Sequence, residues 1–276
     1  MTAPVRSLLF APANRGDFIA KFGRVAADAF VIDLEDGLAP DARPQARTDL
    51  SAIVRQARDA AAASARIWVR VNSPGTADFA PDCAAVANAR CDGLVLSKAE
   101  TAEEVQRSAA LTALPVLAGI ESLEGVYAAD EIAHAAALGL FFGAEDYVAD
   151  LGGVRTPAGE EVLYARSVVA MAARRARTAA LDLVTVDIRD DARFDADALA
   201  GRALGYTGKM CVTPRQVERA NAIYRPSAVA IEDAQRVIQA YAEAKVRGLG
   251  AIDFEGRMID EPLVRQAQAI VAAAAG

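Results

Sequence analysis

Eight short apolar runs punctuate this chain of 276 residues, and their continuity restricts the fold more than any other feature. They start at Ser7 (SLLFAP), Phe30 (FVIDLED), Ile67 (IWVRVN), Gly93 (GLVLSK), Val116 (VLAGIES), Leu138 (LGLFFGAED), Leu183 (LVTVDI) and Lys209 (KMCVTP). A strand with one wet face alternates apolar and polar residues. A strand covered on both faces reads as an unbroken apolar run and belongs in a parallel sheet. Helix-like stretches separate the runs, at Ala42–Ala63, Ala102–Leu111, Leu123–Ala136 and Gly159–Ala180. Such βα units, repeated in one domain of this length, predict a closed α/β barrel of the TIM, (β/α)8, type. The competing open, doubly wound sheet would place a glycine-rich turn after its first strand, and FAPANRGD carries none.

The pattern changes after Pro226. Ala228–Arg247 reads as a helix, Ala251–Arg257 as a hairpin-like element and Glu261–Ala275 as a last helix opened by Pro262. The expected organisation is a barrel over residues 1–226 and a C-terminal helical extension over 227–276, serving as a packed cap, a lid or an arm that reaches a neighbouring subunit.

Composition removes several function classes. The net charge is −7 and no run of Lys and Arg occurs, so a nucleic-acid binder is not expected. Cys83, Cys91 and Cys211 are widely spaced and odd in number, which predicts a reducing cytoplasm rather than a disulfide framework. The N-terminal residues show no signal-peptide pattern, and no stretch approaches a membrane span. The single histidine, His134, reads as a helix-end residue, which argues against a Ser-His-Asp triad or a His-rich zinc site. Any metal would be held by oxygen, as suits Mg²⁺.

In such a barrel the reactive groups gather where the strands end. Asp33, Glu35 and Asp36 close the second run, Arg70 and Asn72 the third, Lys98 the fourth, Glu121 the fifth, and Glu145 and Asp146 the sixth. Neighbouring parallel strands lie about 4.8 Å apart. Glu121 and Asp146 could therefore share a cation, or each could cap a helix. Arg70 could grip a substrate carboxylate bidentately or pair with Glu35 or Asp36. Asp33 and Glu35 point the same way and Asp36 the other, with Lys98 a further partner. Glu35, Asp36 and Lys98 are candidate substrate contacts. Asp260 reads as an N-cap before the Pro262 helix. Arg6 and Arg15, with Lys21 and Arg24, could contact the phosphates of a ligand or be scattered surface charges.

The ordered set RSLLFAPANR, VIDLEDGLAPDAR, VRVN, GLVLSKAE, AGIESLEGV, FFGAEDYVADLGG, GYTGKMCVTPRQV and GRMIDEP resembles the HpcH/HpaI aldolase superfamily, specifically its citrate lyase beta-subunit-like CoA-ester lyases. The resemblance runs almost end to end. It implies a TIM barrel with a C-terminal extension, in homotrimers or hexamers. It implies Mg²⁺ held by Glu121 and Asp146, and Arg70 on the 2-oxo acid. It also implies Asp260 as an acid/base delivered by a neighbouring subunit. Where the family reads LPK this chain has Leu96-Ser97-Lys98; where it reads a histidine in strand eight this chain has Thr213; and DAV is replaced after Asp36 by Gly37-Leu38. The reaction so implied is Mg²⁺-dependent cleavage or formation of a 2-hydroxyacyl-CoA, such as citryl-, malyl- or citramalyl-CoA, with an acyl-CoA and a 2-oxo acid as partners. A CoA-independent class II aldolase, a citrate lyase beta subunit acting on an acyl carrier protein, and a non-catalytic barrel stay open beside it.

Overall fold

A computed structural model describes residues 4–274, which form two compact units, 4–222 and 223–274. In the first, eight parallel strands close a barrel: β1 (Ser7–Pro12), β2 (Ala29–Asp33), β3 (Arg66–Val71), β4 (Gly93–Leu96), β5 (Val116–Ile120), β6 (Gly139–Phe142), β7 (Ala180–Asp182) and β8 (Gly208–Cys211). Each strand pairs with the next, and β8 returns to β1 with Leu8 beside Met210. The expected (β/α)8 barrel is thus the fold.

Alternation along the strands decides what fills it. Leu8, Val31, Trp68, Val95, Leu117, Phe141, Leu181 and Met210 point inward and pack into one apolar core. The residues two places further on, among them Asp33, Arg70 and Ser97, continue the same inward face toward the C-terminal mouth. The core therefore acts as a plug beneath a polar rim.

Local caps set where the strands hand over to helices. Thr101 and Glu104 form a reciprocal capping box at the start of helix Ala102–Thr112, and Ala113 ends it in the left-handed region. Directly after β5, the Ser122 hydroxyl accepts the Gly125 N–H at 3.1 Å and starts helix Leu123–Tyr127. That cap fixes the exit direction of the preceding Glu121. The single helix expected over Leu123–Ala136 is broken at Ala128 into Leu123–Tyr127 and Ala129–Ala135.

The seventh strand differs from expectation. It is Ala180–Asp182, whereas LVTVDI begins at Leu183 and is irregular. The reason lies in where its carbonyls go. Leu183 O accepts Lys209 Nζ at 2.7 Å and Thr185 O accepts Gln216 Nε2 at 3.0 Å. Side chains from β8 and the following helix take bonds that a sheet ladder would need.

The second unit consists of helix Ala228–Val246, an antiparallel hairpin of β9 (Ala251–Phe254) and β10 (Arg257–Asp260), and helix Glu261–Ala274. Ala275, the expected last residue of that helix, lies outside the described residues. The hairpin turns through Glu255 (φ 54°) and Gly256 (φ 78°), both left-handed, as a two-residue turn of this twist requires. Ala234, Val237, Tyr241, Ile259, Val264 and Ala267 give the unit its own core.

Candidate active site

The barrel mouth is organised from Asp33 outward. Its carboxylate accepts Arg70 Nε at 2.7 Å and Nη2 at 2.6 Å, together with the N–H groups of Glu35 (3.0 Å) and Gly37 (2.9 Å). One side chain thus turns the chain after β2 and clamps Arg70 on β3. A Cβ at Gly37 would lie 2.4 Å from Asp33 Oδ2, so glycine lets the Asp33 carboxylate close on the turn at this departure from the family pattern. The Arg70 guanidinium also lies 5.0 Å from the Phe10 ring centroid, and its Nη1 is 3.0 Å from Glu35 Oε2. Burial works against its charge, but Asp33, Glu35 and Glu121 more than offset that and raise its pKa. Asn72 stays structural, donating to Leu34 O and to the buried Asp82.

Glu121 follows β5 and is 4% exposed. Its Oε1 accepts the Lys98 N–H at 2.9 Å. Glycines on both sides make the space: a Cβ at Gly119 would lie 2.4 Å from Oε1, and one at Gly143 2.4 Å from Oε2. Burial, then the charge of Glu35, holds the Glu121 carboxyl well above the ordinary range, against the pull of Arg70 and the Lys98 N–H. Asp146 is not at a strand end as expected. β6 stops at Phe142, and Asp146 sits in the first turn of helix Ala144–Leu151, where the helix dipole favours an acid. Its side chain is 41% exposed, and Oδ1 lies 3.3 Å from Lys98 Nζ. That ammonium is also 3.0 Å from Glu35 Oε1 and 3.7 Å from Asp36 Oδ2.

Arg70, Glu121, Asp146, Asp33 and Asp36 line one cavity of about 430 Å³, and Glu35 and Lys98 adjoin it through their contacts with Arg70, Asp146 and Asp36. Arg15 stands just beyond the end of β1, paired with Asp17 and stacked 3.5 Å from the ring centroid of Phe18, which lines the cavity. Arg6 is placed elsewhere. It precedes β1, at the opposite end of the barrel, and is bound bidentately to Asp28. Asp260 belongs to the second unit, where its Oδ1 accepts the Leu263 N–H at 3.3 Å as a helix cap. His134 is exposed, with Nδ1 against Asp130 O. Sequence reasoning missed the apolar side of the cavity: Phe10, Phe141, Val184, Met210 and Val212. For Phe10, Phe141, Met210 and Val212 the signal was an inward register near the strand ends; Val184, beyond β7, had none.

The donor set fits a hard divalent cation. Among the described residues no three His, Cys, Asp or Glu side chains converge into a cage. Mg²⁺ does not need one, since it takes one or two carboxylates and leaves its other positions to water and substrate. The fit rests on Glu121, a carboxyl made costly to ionise by its burial and then by its acidic neighbours, seated in a two-glycine cradle and opening on the same cavity as Asp146. A cation there would relieve that repulsion. Thr213 caps the helix from Pro214, its Oγ1 accepting the Gln216 N–H, while the Ser97 hydroxyl is buried without a hydrogen-bond partner among the described residues.

A parallel barrel whose mouth joins a clamped arginine to surplus carboxylates places its polar groups where α/β-barrel enzymes carry their active sites. The profile of the HpcH/HpaI aldolase/citrate lyase family matches residues 6–214, and the chain belongs to that family. Its likeness is to the citrate lyase beta-like members, a group of Mg²⁺-dependent carbon–carbon lyases and aldolases. It is 44% identical to the citrate lyase subunit beta-like protein of Deinococcus radiodurans, across 98% of this chain and 99% of that one. It is 34% identical to citrate lyase subunit beta of Leuconostoc mesenteroides subsp. cremoris, across 96% and 92%. A crystal structure of CitE from Mycobacterium tuberculosis, in complex with magnesium, acetoacetate and coenzyme A, matches with a TM-score of 0.85 and 33% identity over 100% of both chains. Among the described residues no helix is long and apolar enough to cross a membrane.

Proposed function

We propose that this protein is a Mg²⁺-dependent lyase that cleaves, or in reverse forms, a 2-hydroxyacyl-CoA of the citryl, malyl or citramalyl kind, giving an acyl-CoA and a 2-oxo acid. The observation that carries the reading is the buried Glu121 opening, with Asp146, on the cavity that also holds the clamped Arg70. The magnesium, acetoacetate and coenzyme A bound by the Mycobacterium tuberculosis relative support it. Glu121 and Asp146 would hold the ion, which when bound supplies Lewis-acid stabilisation of negative charge.

The chain's own groups do the rest. Asp33 holds the Nε/Nη2 edge of Arg70 in place, and the N–H donors that neither Asp33 nor Glu35 takes are left to meet the substrate. They bind the carboxylate and the 2-oxygen, where charge develops as the hydroxyl passes its proton to solvent water and the carbon–carbon bond breaks. Lys98, Glu35 and Asp36 border the 2-oxo acid portion and set its orientation. Arg15 meets the phosphates of the CoA moiety at the rim. Asp260, contributed by a neighbouring subunit of a homotrimer or hexamer, gives its proton to the acyl carbon on cleavage and removes one on condensation.

The test is a mass-spectrometric panel of malyl-, citramalyl-, methylmalyl- and citryl-CoA, each with Mg²⁺ and with chelator. Release of acyl-CoA and 2-oxo acid from at least one ester, with Mg²⁺ and not without, is expected. Failure on every ester defeats the reading.

A further inference from the structure

Lys98 holds a position that its neighbours do not explain as packing. It lies two residues past β4 with φ 51°, in the left-handed region that a side chain bearing Cβ rarely adopts. The strained backbone lets one residue address the whole acidic mouth. Its N–H donates to Glu121 Oε1, while its Nζ stands 3.0 Å from Glu35 Oε1 and 3.3 Å from Asp146 Oδ1. The ammonium is thus placed among the carboxylates that would otherwise repel one another.

We propose that Lys98 is a tethered counter-cation, which offsets part of the negative charge at the mouth of the metal-free protein and competes with the divalent ion for Asp146. This rests on Glu121 and Asp146 being the metal pair. Mg²⁺ sits about 2.0–2.1 Å from its carboxylate oxygens. An ammonium 3.3 Å from the same Asp146 oxygen would then stand within about 5.4 Å of a dication and repel it. Loading the ion is therefore opposed by Lys98 and eased when Lys98 releases Asp146. Glu35 gives the ammonium a place to remain, because Oε1 already holds it and Oε2 lacks a hydrogen bond of good geometry among the described residues. Asp146 is partly exposed, so the tether also keeps its side chain aimed at the cavity while no ion is bound. Lys98 is a positioning residue in this account, and its backbone N–H to Glu121 survives any substitution of its side chain.

The experiment compares the full-length wild type with Lys98→Met, Lys98→Gln and Lys98→Arg, by calorimetric titration of Mg²⁺ and by thermal unfolding with and without chelator. Removing the charge should tighten Mg²⁺ binding about fivefold to tenfold, the scale of deleting one like charge a few ångströms away in a wet site. It should also lower the Tm of the metal-free protein and enlarge the Mg²⁺-induced rise. Lys98→Arg, which keeps the charge, should bind Mg²⁺ as the wild type does. Lys98→Gln, which keeps polar contact with the carboxylates, gives the same reading if Lys98→Met does not fold. Equal or weaker binding by the neutral variants overturns the counter-cation and leaves the metal pair standing. No binding by any of the proteins overturns both.

Discussion

Behind β7 and β8, the buried Asp182 accepts Arg166 Nε at 2.8 Å and Nη2 at 2.5 Å, with Lys209 Nζ at 3.7 Å. Arg166 also donates to Asp197 O, and Lys209 to Leu183 O. Gly201 lets the facing helix close on this group, since a Cβ there would lie 2.0 Å from Asp182 Oδ2. At the mouth, by contrast, Asp33, Glu35, Asp36, Glu121 and Asp146 face Arg70 and Lys98, so acids outnumber cations. Both clusters are anchored to the same barrel, the wall one on β7 and β8 and the mouth one on or just after β2 to β6. The wall cluster is saturated with partners and sealed from water, which is what a structural ion network needs. The mouth leaves negative charge unmatched beside a cavity, and such an imbalance is maintained where a ligand completes the set.

The largest expected effect breaks the mouth alone. Glu121→Ala or Asp146→Ala should lower kcat/KM for the best CoA ester by about a thousandfold or more, the scale of losing a group that stabilises developing charge. Calorimetry should show Mg²⁺ binding lost with it, while urea unfolding of the metal-free protein moves little or shows a gain for Glu121. Retained turnover under chelation would defeat the metal pair. The complementary change breaks the wall alone. Asp182→Asn leaves Arg166 and Lys209 without their shared carboxylate and should cost about 3–5 kcal/mol in urea unfolding. Mg²⁺ affinity of the folded fraction should be unchanged. If Asp182→Asn weakened metal binding as strongly as it weakened the fold, the two clusters would not be independent.

The barrel was legible because burial on both faces leaves an unbroken apolar run, and eight such runs leave few alternatives. The acids at strand ends were legible for the same reason, as polar residues interrupting those runs. What sequence could not give was which neighbour each acid would find. Asp33 and Glu35 read alike, yet Asp33 spends its lone pairs on Arg70 and two backbone N–H groups, while Glu35 faces both Arg70 and Lys98. Asp146 looked like a strand end because FFGAED is apolar up to the acids, but the chain turns at Gly143 and a helix begins. The left-handed backbone of Lys98 has no sequence signature, since lysine is not a residue that marks that region. The seventh strand was misplaced because LVTVDI has strand composition but lends its carbonyls to Lys209 and Gln216. Asp260 read as a helix cap and accepts the Leu263 N–H as one; its proposed acid/base role would need a neighbouring subunit, which no pattern within one chain encodes.

Proton linkage sharpens the contrast. Burial and Glu35 raise Glu121 from an ordinary 4.5 to about 8 in the metal-free fold. Across that window the folded state keeps a proton that the unfolded chain has lost. Stability is therefore fullest below pH 4.5 and falls as pH rises toward 8, by on the order of 1 kcal/mol per pH unit at most. Glu121→Gln resembles the protonated form and should flatten this slope. Mg²⁺ competes with the same proton, so its affinity should rise with pH over the same window. Calorimetry in buffers of different ionisation enthalpy should show proton release. A wild-type slope that Glu121→Gln does not alter would assign the linkage to another group.

The smallest effect separates the two N-terminal arginines. Arg15 is exposed, and its pair with Asp17 is of the kind that contributes little to folding. Arg15→Ala should therefore leave urea unfolding unchanged. If its guanidinium meets CoA phosphates at the rim, KM for the ester should rise about threefold to tenfold with kcat unaltered, and the difference should shrink as salt is added. Arg6 lies at the far end of the barrel, where Asp28 takes both edges of its guanidinium and also accepts its backbone N–H. Arg6→Ala should show the reverse pattern, a loss of stability with KM untouched. An increase in KM from Arg6→Ala at constant stability would mean that the phosphates approach from the closed end of the barrel, which a mouth-centred site does not allow.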